Sequence, residues 1–385
     1  MKNILIISEA FWSPSKGTAR YTMSLINELK HLTNVHLLVP KFNDSSDFKI
    51  EDIILHTVDI DIDSGVGLLD KKSRNDFISY VRANIKPLCK DNNIELIHIT
   101  YGHFVIKSIP NDIDLPVLWT CHNMPPNESH PPCSKTNLLA IFINKLYRIA
   151  VRLKHTYLIN TSKIDEVIAI SEKTKIDIKR WLLKKDIHII GNGCDFDINK
   201  NVEKNFNELK IITVGGIKPH KNVHIIPKIS EKLNEYNICH SWKIIGPEVN
   251  LDYVKLLKDN ISKYECTVEF LGSVKDSELV EYYKNSNLYV HLSKEEGFCL
   301  TILEAASFGA MTVSTNVGAI PDIISNLKNG ILCESSSRSI LSAIIKLFNA
   351  TEYYNSGDYL STLVSNNWSW KEVAKEHLEF YKKFD

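Results

Sequence analysis

Short apolar runs alternate with helix-like segments along the whole chain, and this alternation restricts the fold more than any other feature. Between the runs lie segments with apolar residues three or four positions apart, such as TARYTMSLINELKHL (18–32). Strands that are apolar on both faces and alternate with helices predict a parallel sheet covered on each side. In the first half the apolar runs are NILIIS (3–8), VHLLVP (35–40), IELIHIT (94–100), PVLWTC (116–121), EVIAIS (166–171) and IHII (187–190).

The second half repeats the pattern, and 385 residues exceed the size at which one hydrophobic core usually stops growing. We therefore expect two doubly wound, Rossmann-like α/β domains, at 1–195 and 196–367, joined in the polar stretch 191–210. The final helical segment, 368–385, either closes the second domain or packs back on the first. The later apolar runs are KIITVGG (210–216), WKIIG (242–246), TVEFLG (267–272), LYVHLS (288–293), MTVST (311–315) and ILC (331–333).

Charge and cysteine content narrow the protein class. Lys and Arg number 46 and are balanced by 46 Asp and Glu, which argues against a nucleic-acid binder. Eight scattered cysteines without a Cys-x-x-Cys pair indicate free thiols in a reducing compartment. The N-terminal stretch 1–15 has too short an apolar core for a signal peptide, and no apolar run approaches the ~18 residues of a membrane span. We expect a cytoplasmic protein whose membrane contact, if any, is peripheral.

The stretch SKEEGFCLTILEAASFGA (293–310) carries two glutamates, Glu296 and Glu304, around a predicted strand-to-helix turn. Backbone amides at a helix N-terminus bind phosphate, and Gly297 would let the backbone approach it. Glu304 lies in an apolar helix where a buried carboxylate needs a partner, and a ribose diol would serve. The alternative is that neither glutamate binds a ligand, since acids are favoured in first helical turns and most helical glutamates are solvated.

A second loop, VGGIKPHKNV (214–223), follows a predicted strand and precedes the helical pattern NVHIIPKISEKLNEY. Its features are Gly215 and Gly216 at the strand end, with Lys218 and Lys221 just before the helix. Cations oppose the dipole at a helix N-terminus, so a pyrophosphate between them and the amides would stabilise the arrangement. Solvated lysines are the alternative.

These motifs resemble those of the family 4 retaining glycosyltransferases of the GT-B fold, over nearly the whole chain. EGFCLTILEA (296–305) is similar to their Glu-x7-Glu signature, and VGGIKPHKN to their V-G-R-L-x-P-x-K-G loop. In the first half, SPSKGTARYTMSLINEL resembles the glycine loop, WTCHN the strand ending in His, and IIGNGCD the interdomain hinge. WSWKEVAKEHLEFY resembles the helix that crosses back to the first domain.

The resemblance implies a site residue by residue. Lys221 would hold the donor pyrophosphate, Glu304 the ribose, and Glu296 the donor-sugar hydroxyls. Catalytic roles would fall to His122, Lys221 and Glu296. The implied donor-binding residues are Gly17, Gly216, Lys218, Lys221, Glu296, Gly297, Phe298, Cys299, Leu300 and Glu304.

Three positions depart from the family pattern. Gly216 replaces the arginine that partners the lysine, and Lys218 would supply an ammonium without the bidentate fork of a guanidinium. Cys299 replaces the second glycine of E-G-F-G and narrows the space beside the donor sugar. In the first domain Lys16 precedes Gly17 where a glycine pair is usual.

The implied reaction moves a sugar from a UDP- or GDP-sugar to a glycan or lipid-linked acceptor, in surface polysaccharide or glycolipid biosynthesis. Lys221 and helix amides would stabilise the departing diphosphate, with neither metal nor cofactor, in a front-face substitution that retains configuration. Other readings are a nucleotide-sugar epimerase, a glycogen-phosphorylase-like protein, or a degenerate relative that binds nucleotide sugar as a partner or regulator.

The acceptor side is predicted in the first domain. CHNMPPNESHPPCSKTNLL (121–139) is a Pro-rich loop that would form an acceptor lip. The helical pattern near 135–158 follows it, with four basic residues beside apolar ones. A basic amphipathic helix can lie on the inner face of the plasma membrane, although it more often packs its apolar stripe on the sheet. The basic residues are Lys145, Arg148, Arg152 and Lys154.

Overall fold

The chain folds into two units, each built on its own parallel sheet. Unit 1 comprises Met1–Gly193 and Trp370–Asp385, and unit 2 comprises Cys194–Ser369. The predicted boundary between residues 195 and 196 lies outside the described residues and stays a prediction. The computed structural model describes residues 1–9, 17–41, 51–60, 71–102, 104–122, 138–180, 185–194, 204, 207–350 and 357–385.

The sheet of unit 1 contains the six strands predicted there and one more. The strands are β1 (Asn3–Ser8), β2 (Asn34–Pro40), β3 (Ile54–Val58), β4 (Leu96–Tyr101), β5 (Val117–Cys121), β6 (Glu166–Ala169) and β7 (Asp186–Ile189). They lie side by side in the order β3-β2-β1-β4-β5-β6-β7, with parallel pairing throughout. The additional strand, β3, lies at the sheet edge and is mostly exposed, so its sequence lacks a continuous apolar run.

Helices cover this sheet and complete its core. They are α1 (Gly17–Leu29), α2 (Lys71–Asp91), α3 (Leu138–Thr161), α4 (Glu172–Lys179) and, from the end of the chain, α12 (Trp370–Tyr381). Helix α12 packs on α1, where Trp370, Ala374 and Tyr381 share one buried cluster with Tyr21 and Leu25. The crossing of the final helix back to the first domain is confirmed.

The sheet of unit 2 has six parallel strands, all at predicted positions. They are β8 (Leu209–Val214), β9 (His240–Ile245), β10 (Val268–Gly272), β11 (Leu288–His291), β12 (Met311–Thr315) and β13 (Gly330–Cys333), in the order β10-β9-β8-β11-β12-β13. The helices are α5 (Ile226–Glu235), α6 (Leu251–Lys263), α7 (Asp276–Asn285), α8 (Leu300–Ser307), α9 (Ile320–Leu327), α10 (Ser337–Phe348) and α11 (Gly357–Trp368).

The two sheets and the returning helix confirm the predicted fold class, two doubly wound Rossmann-like domains. In the parts of the chain that the structure describes, no helix has the length and apolar character needed to cross a bilayer.

Candidate functional site

Two loops of unit 2 leave neighbouring strands at one edge of the sheet. The lysine loop (215–225) follows β8, and the glutamate loop (292–299) follows β11, which pairs with β8. Because the strands are parallel, both loops lie at the carboxyl edge, where ligands bind in open α/β sheets. The backbone N–H of Lys294 donates to the carbonyl oxygen of His220 at 2.8 Å and ties the loops together.

The helix that follows the lysine loop begins later than the sequence predicts. Short 3-10 turns at Pro219–Lys221 and Val223–Ile225 flank Asn222, whose φ of 58° is left-handed. Asn tolerates this conformation, and its side-chain amide donates to the carbonyl oxygen of Ser335 at 3.0 Å. Helix α5 starts only at Ile226, so Lys221 does not stand directly at its N-terminus. The expectation of an α-helix tip beside this lysine is corrected accordingly.

Lys221 contacts the first glutamate of the signature directly. Its Nζ lies 2.5 Å from Oε1 of Glu296, and both side chains are largely buried. The same Glu296 oxygen accepts a hydrogen bond from Ser293 Oγ at 2.8 Å and lies 3.2 Å from His291 Nε2. Three groups from the strand end and both loops therefore converge on one carboxylate.

The charges in this cluster determine its protonation. Burial alone would raise the pKa of Glu296, but the charges and hydrogen bonds of Lys221 and His291 hold it well below its usual range. Burial alone would lower the pKa of Lys221, and the nearby negative charge and hydrogen bond of Glu296 raise it instead. We conclude that Lys221 and Glu296 form a charged pair at neutral pH.

The backbone of the glutamate loop is held by a close approach from the β12–α9 connection. Gly318 has a φ of +58°, and a Cβ on it would lie 2.6 Å from the carbonyl oxygens of Glu296 and Gly297. The N–H of Ala319 donates to Gly297 O at 3.0 Å. A side chain at position 318 would therefore displace the Glu296–Gly297 backbone.

Helix α8 begins immediately after the glutamate loop. Phe298 is buried, Cys299 is the N-cap residue, and Leu300 is the first helical residue. Cys299 has φ 75° and ψ 69°, a left-handed conformation that favours glycine. This geometry explains why the family motif has glycine here, and it turns the thiol towards His291, with Sγ 3.6 Å from Nδ1 and 3.8 Å from Nε2.

Glu304 is a buried carboxylate in the second turn of α8. Only 5% of its surface is exposed, and its Oε2 accepts a hydrogen bond from Tyr283 OH at 2.7 Å. Tyr283 comes from α7 and is fully buried. The reading of Glu304 as a solvated surface charge is therefore wrong, and Tyr283 is the partner that its burial requires.

Gly216 and Lys218 lie side by side in the lysine loop. A Cβ on Gly216 would be 3.6 Å from Lys218 Cε and 3.1 Å from Val249 Cγ2. The aliphatic stem of Lys218 thus passes close to the position from which the family arginine would project. Lys218 itself has extended backbone before the first 3-10 turn.

The remaining predicted residues belong to unit 1. Gly17 is the first residue of α1, and Lys16 lies outside the described residues, as does the acceptor lip from 123 to 137. His122 follows β5, with its Nε2 2.9 Å from the carbonyl oxygen of Thr100. Burial lowers the pKa of His122 to about 4, so the imidazole is neutral at pH 7 and Nε2 carries the proton. Nδ1 is then a hydrogen-bond acceptor.

His122 borders a buried network of histidines and tyrosines in unit 1. Its ring packs edge-to-face on Tyr21, whose OH lies 3.0 Å from His377 Nε2. His98 contacts Thr120 and Tyr381, each at 2.7 Å. Helix α12 supplies both His377 and Tyr381, so the returning helix completes this network.

The structure brings together Lys221, Glu296 and the start of α8, and places Glu304 further along the same helix. The sequence analysis missed His291, Ser293 and Tyr283, which contact the two glutamates. A histidine within the apolar run LYVHLS was the available signal for the first. Among the described residues, His291, Glu296 and Cys299 form a group that could hold a metal ion, with ligand atoms within 4.8 Å of one another.

Two family models match the chain and meet at the junction of its halves. "Glycosyltransferase Family 4" matches residues 15–198, and "Glycosyl transferases group 1" matches residues 195–357. The chain belongs to glycosyltransferase family 4. The predicted resemblance to this family is therefore confirmed.

Curated relatives of this family 4 chain are distant. The GPI3 subunit of phosphatidylinositol N-acetylglucosaminyltransferase from Saccharomyces cerevisiae is 25% identical over 265 residues, which is 64% of this chain and 54% of that protein. The chain thus spans about half the length of the curated relatives that it matches first.

Solved structures share the fold at low identity. Sucrose-phosphate synthase from Thermosynechococcus elongatus superposes with a TM-score of 0.79 at 16% identity, covering 100% of this chain and 99% of the other. Anabaena HepE in complex with UDP and glucose has a TM-score of 0.70 at 15% identity, and all of both chains is covered.

Proposed function

We propose that this protein transfers a sugar, with retention of configuration, from a UDP- or GDP-sugar to a glycan or lipid-linked acceptor. The observation that carries the proposal is the Lys221–Glu296 pair between the lysine and glutamate loops, beside the N-terminus of α8. Support comes from family membership and from the UDP and glucose bound by the structural neighbour HepE.

The donor is recognised in three parts. Its diphosphate binds Lys221 and the backbone amides at the start of α8, because helix N-termini stabilise anions. Glu304 accepts hydrogen bonds from the ribose diol, and Tyr283 fixes the position of that carboxylate. Glu296 accepts from hydroxyls of the sugar. Lys218 adds positive charge at the position that the family arginine would occupy.

During sugar transfer, negative charge develops on the diphosphate leaving group. The bond from the anomeric carbon to the diphosphate oxygen breaks while the acceptor oxygen attacks from the same face, and the acceptor proton passes to the departing phosphate. Lys221 and the α8 amides stabilise the negative charge as it grows, without metal or cofactor. In unit 1 the imidazole of His122 is neutral with Nδ1 as a hydrogen-bond acceptor, and its catalytic role stays a prediction.

A donor panel tests this function. We expect the purified chain to release nucleotide from one UDP- or GDP-sugar, also with EDTA present, and to bind that nucleotide more tightly than its 2′-deoxy analogue. Tight nucleotide binding without turnover of any donor would identify a degenerate binder instead. Conversion of the sugar without nucleotide release would identify an epimerase.

Helix α3 is the basis for two further proposals. The acceptor is linked to a lipid, and the protein is cytoplasmic and contacts the inner face of the plasma membrane. Leu146, Ile149, Leu153 and Tyr157 recur at helical spacing and are each at least 44% exposed. The 24 residues of α3 contain no acid. An apolar stripe on a basic helix fits an anionic lipid surface.

Vesicle binding tests the role of α3. We expect the full chain to sediment with vesicles of phosphatidylglycerol and phosphatidylcholine but not with phosphatidylcholine alone. Leu153→Glu should weaken this binding about tenfold, because it places an acid in the stripe facing anionic lipid. The control is Leu251→Glu on α6, where a leucine that is still more exposed lies in unit 2. Equal binding of both variants would remove α3 from membrane contact.

A further inference from the structure

The glutamate loop and the end of β11 carry a cluster of potential metal ligands. His291, Glu296 and Cys299 bring an imidazole, a carboxylate and a thiol within 4.8 Å of one another. The proposed transfer reaction does not use the thiol of Cys299, and it uses the imidazole of His291 only to hold Glu296. His291 is buried, and Cys299 has a left-handed backbone conformation that costs free energy for a cysteine.

The separations fit one small ion. Zinc binds nitrogen or oxygen at about 2.0–2.1 Å and sulfur at about 2.3 Å, so tetrahedral ligand pairs lie roughly 3.3–3.5 Å apart. His291 Nε2 lies 3.2 Å from Glu296 Oε1, and Cys299 Sγ lies 3.6 and 3.8 Å from the two ring nitrogens. All three ligand atoms lie within 4.8 Å of one another, so the cysteine side chain must move closer for the three to bind the same ion.

The ligand types select the metal. Thiolate and imidazole together favour Zn²⁺ over Mg²⁺, which prefers oxygen ligands in an octahedron. The local backbone supports the geometry, since β11 ends at His291, the loop presents Glu296, and the left-handed N-cap turns Cys299 back towards the strand end. On binding, the metal replaces the protons of the imidazole nitrogen and the thiol, which pass to solvent.

We propose that His291, Glu296 and Cys299 form a Zn²⁺ site that competes with Lys221 for the carboxylate of Glu296. The Lys221 ammonium lies 2.5 Å from Glu296 Oε1, so a divalent cation bound to that carboxylate repels it. The metal-bound and lysine-bound forms of Glu296 therefore exclude one another. For the transferase, and resting on the proposed function, the metal-bound form is inhibited because Lys221 and Glu296 are withdrawn from the donor.

Metal binding is measured without any sugar nucleotide, so its outcome is independent of the transferase activity. The full chain, reduced with a non-chelating phosphine, is titrated with Co²⁺ and with Zn²⁺ against a chromophoric chelator. We expect a thiolate-to-cobalt charge-transfer band in the parent and in Cys266→Ala, a control at another half-buried thiol. The band should vanish in Cys299→Ala, and Zn²⁺ affinity should fall by more than the roughly 10–100-fold that loss of an outer-shell partner costs.

Lys221→Met should change the Zn²⁺ affinity in the opposite direction to Cys299→Ala. Removing the competing ammonium should tighten Zn²⁺ binding about tenfold. A parent without the charge-transfer band, a band that persists in Cys299→Ala, or weaker Zn²⁺ binding in Lys221→Met would each overturn the site. With an active donor, Zn²⁺ should inhibit nucleotide release and a chelator should restore it; full activity of the Zn²⁺-loaded chain would overturn the regulatory role.

Discussion

Lys221→Ala should lower kcat/KM for the sugar donor about 10²–10³-fold, the cost of removing one preorganised group that stabilises developing negative charge. Lys221 is the charged group of the lysine loop that reaches Glu296, and its side chain is only 19% exposed. Because solvent is largely excluded, its charge is screened less than that of a surface lysine. Nucleotide binding should weaken as well, since the diphosphate carries charge before transfer.

The measurement is steady-state nucleotide release over a range of donor concentrations, together with calorimetric titration of the nucleotide. Lys232→Ala is the matched control, because this exposed lysine in unit 2 pairs with Glu235 on its own helix. Circular dichroism checks that both variants are folded. Activity of Lys221→Ala within threefold of the parent would remove the lysine from the mechanism.

Unit 1 should lose stability between pH 7 and pH 5.5 through its buried histidines. Burial lowers the pKa values of His122 and His377 to about 4, and that of His98 well below its usual range. In the unfolded chain these groups bind protons near pH 6.5, so their contribution to stability is present above that pH and is lost as pH falls towards 4. Each histidine should cost about 1 kcal/mol of stability between pH 6.5 and pH 5.5, because the full slope of about 1.4 kcal/mol per pH unit is reached only below the unfolded pKa.

Urea unfolding at pH 7 and 5.5 measures this loss. His377→Gln should reduce the pH dependence, whereas His31→Gln, at an exposed position, should leave it unchanged. The range stops at pH 5.5 because burial raises the pKa values of Glu9 and Glu376, and protonation of these carboxyls opposes the trend in more acidic solution. Equal stability at the two pH values would contradict the neutral state of the histidine network.

The fold was largely predictable because parallel strands buried on both faces leave an unmistakable apolar run. Strand β1, with five consecutive buried residues, shows the rule. Edge strand β3 was not predicted, because most of its positions are exposed and its sequence need not be apolar. It pairs through backbone hydrogen bonds with β2. Register and burial at an edge are decided by tertiary packing, which no local window of sequence contains.

Local sequence could not define the site fully, because its contacts join separate loops. Glu296 and Lys221 were assigned from motifs, but they are 75 positions apart, and their direct pairing depends on the tertiary structure. The helix start after the lysine loop was misplaced because Asn222 breaks the backbone into two 3-10 turns. Tyr283 was not foreseen as the partner of Glu304, since it lies on a separate helix, α7, and its contact with α8 depends on tertiary packing.

The packing of α12 in unit 1 has a consequence during protein synthesis. The buried cluster that holds Tyr21 and Leu25 also contains Trp370, Phe380 and Tyr381. Those side chains leave the ribosome only after all of unit 2 has been translated. Helix α1 is thus translated before unit 2 but completes its packing only after it, and until then α1 presents an uncovered apolar surface that chaperones can bind.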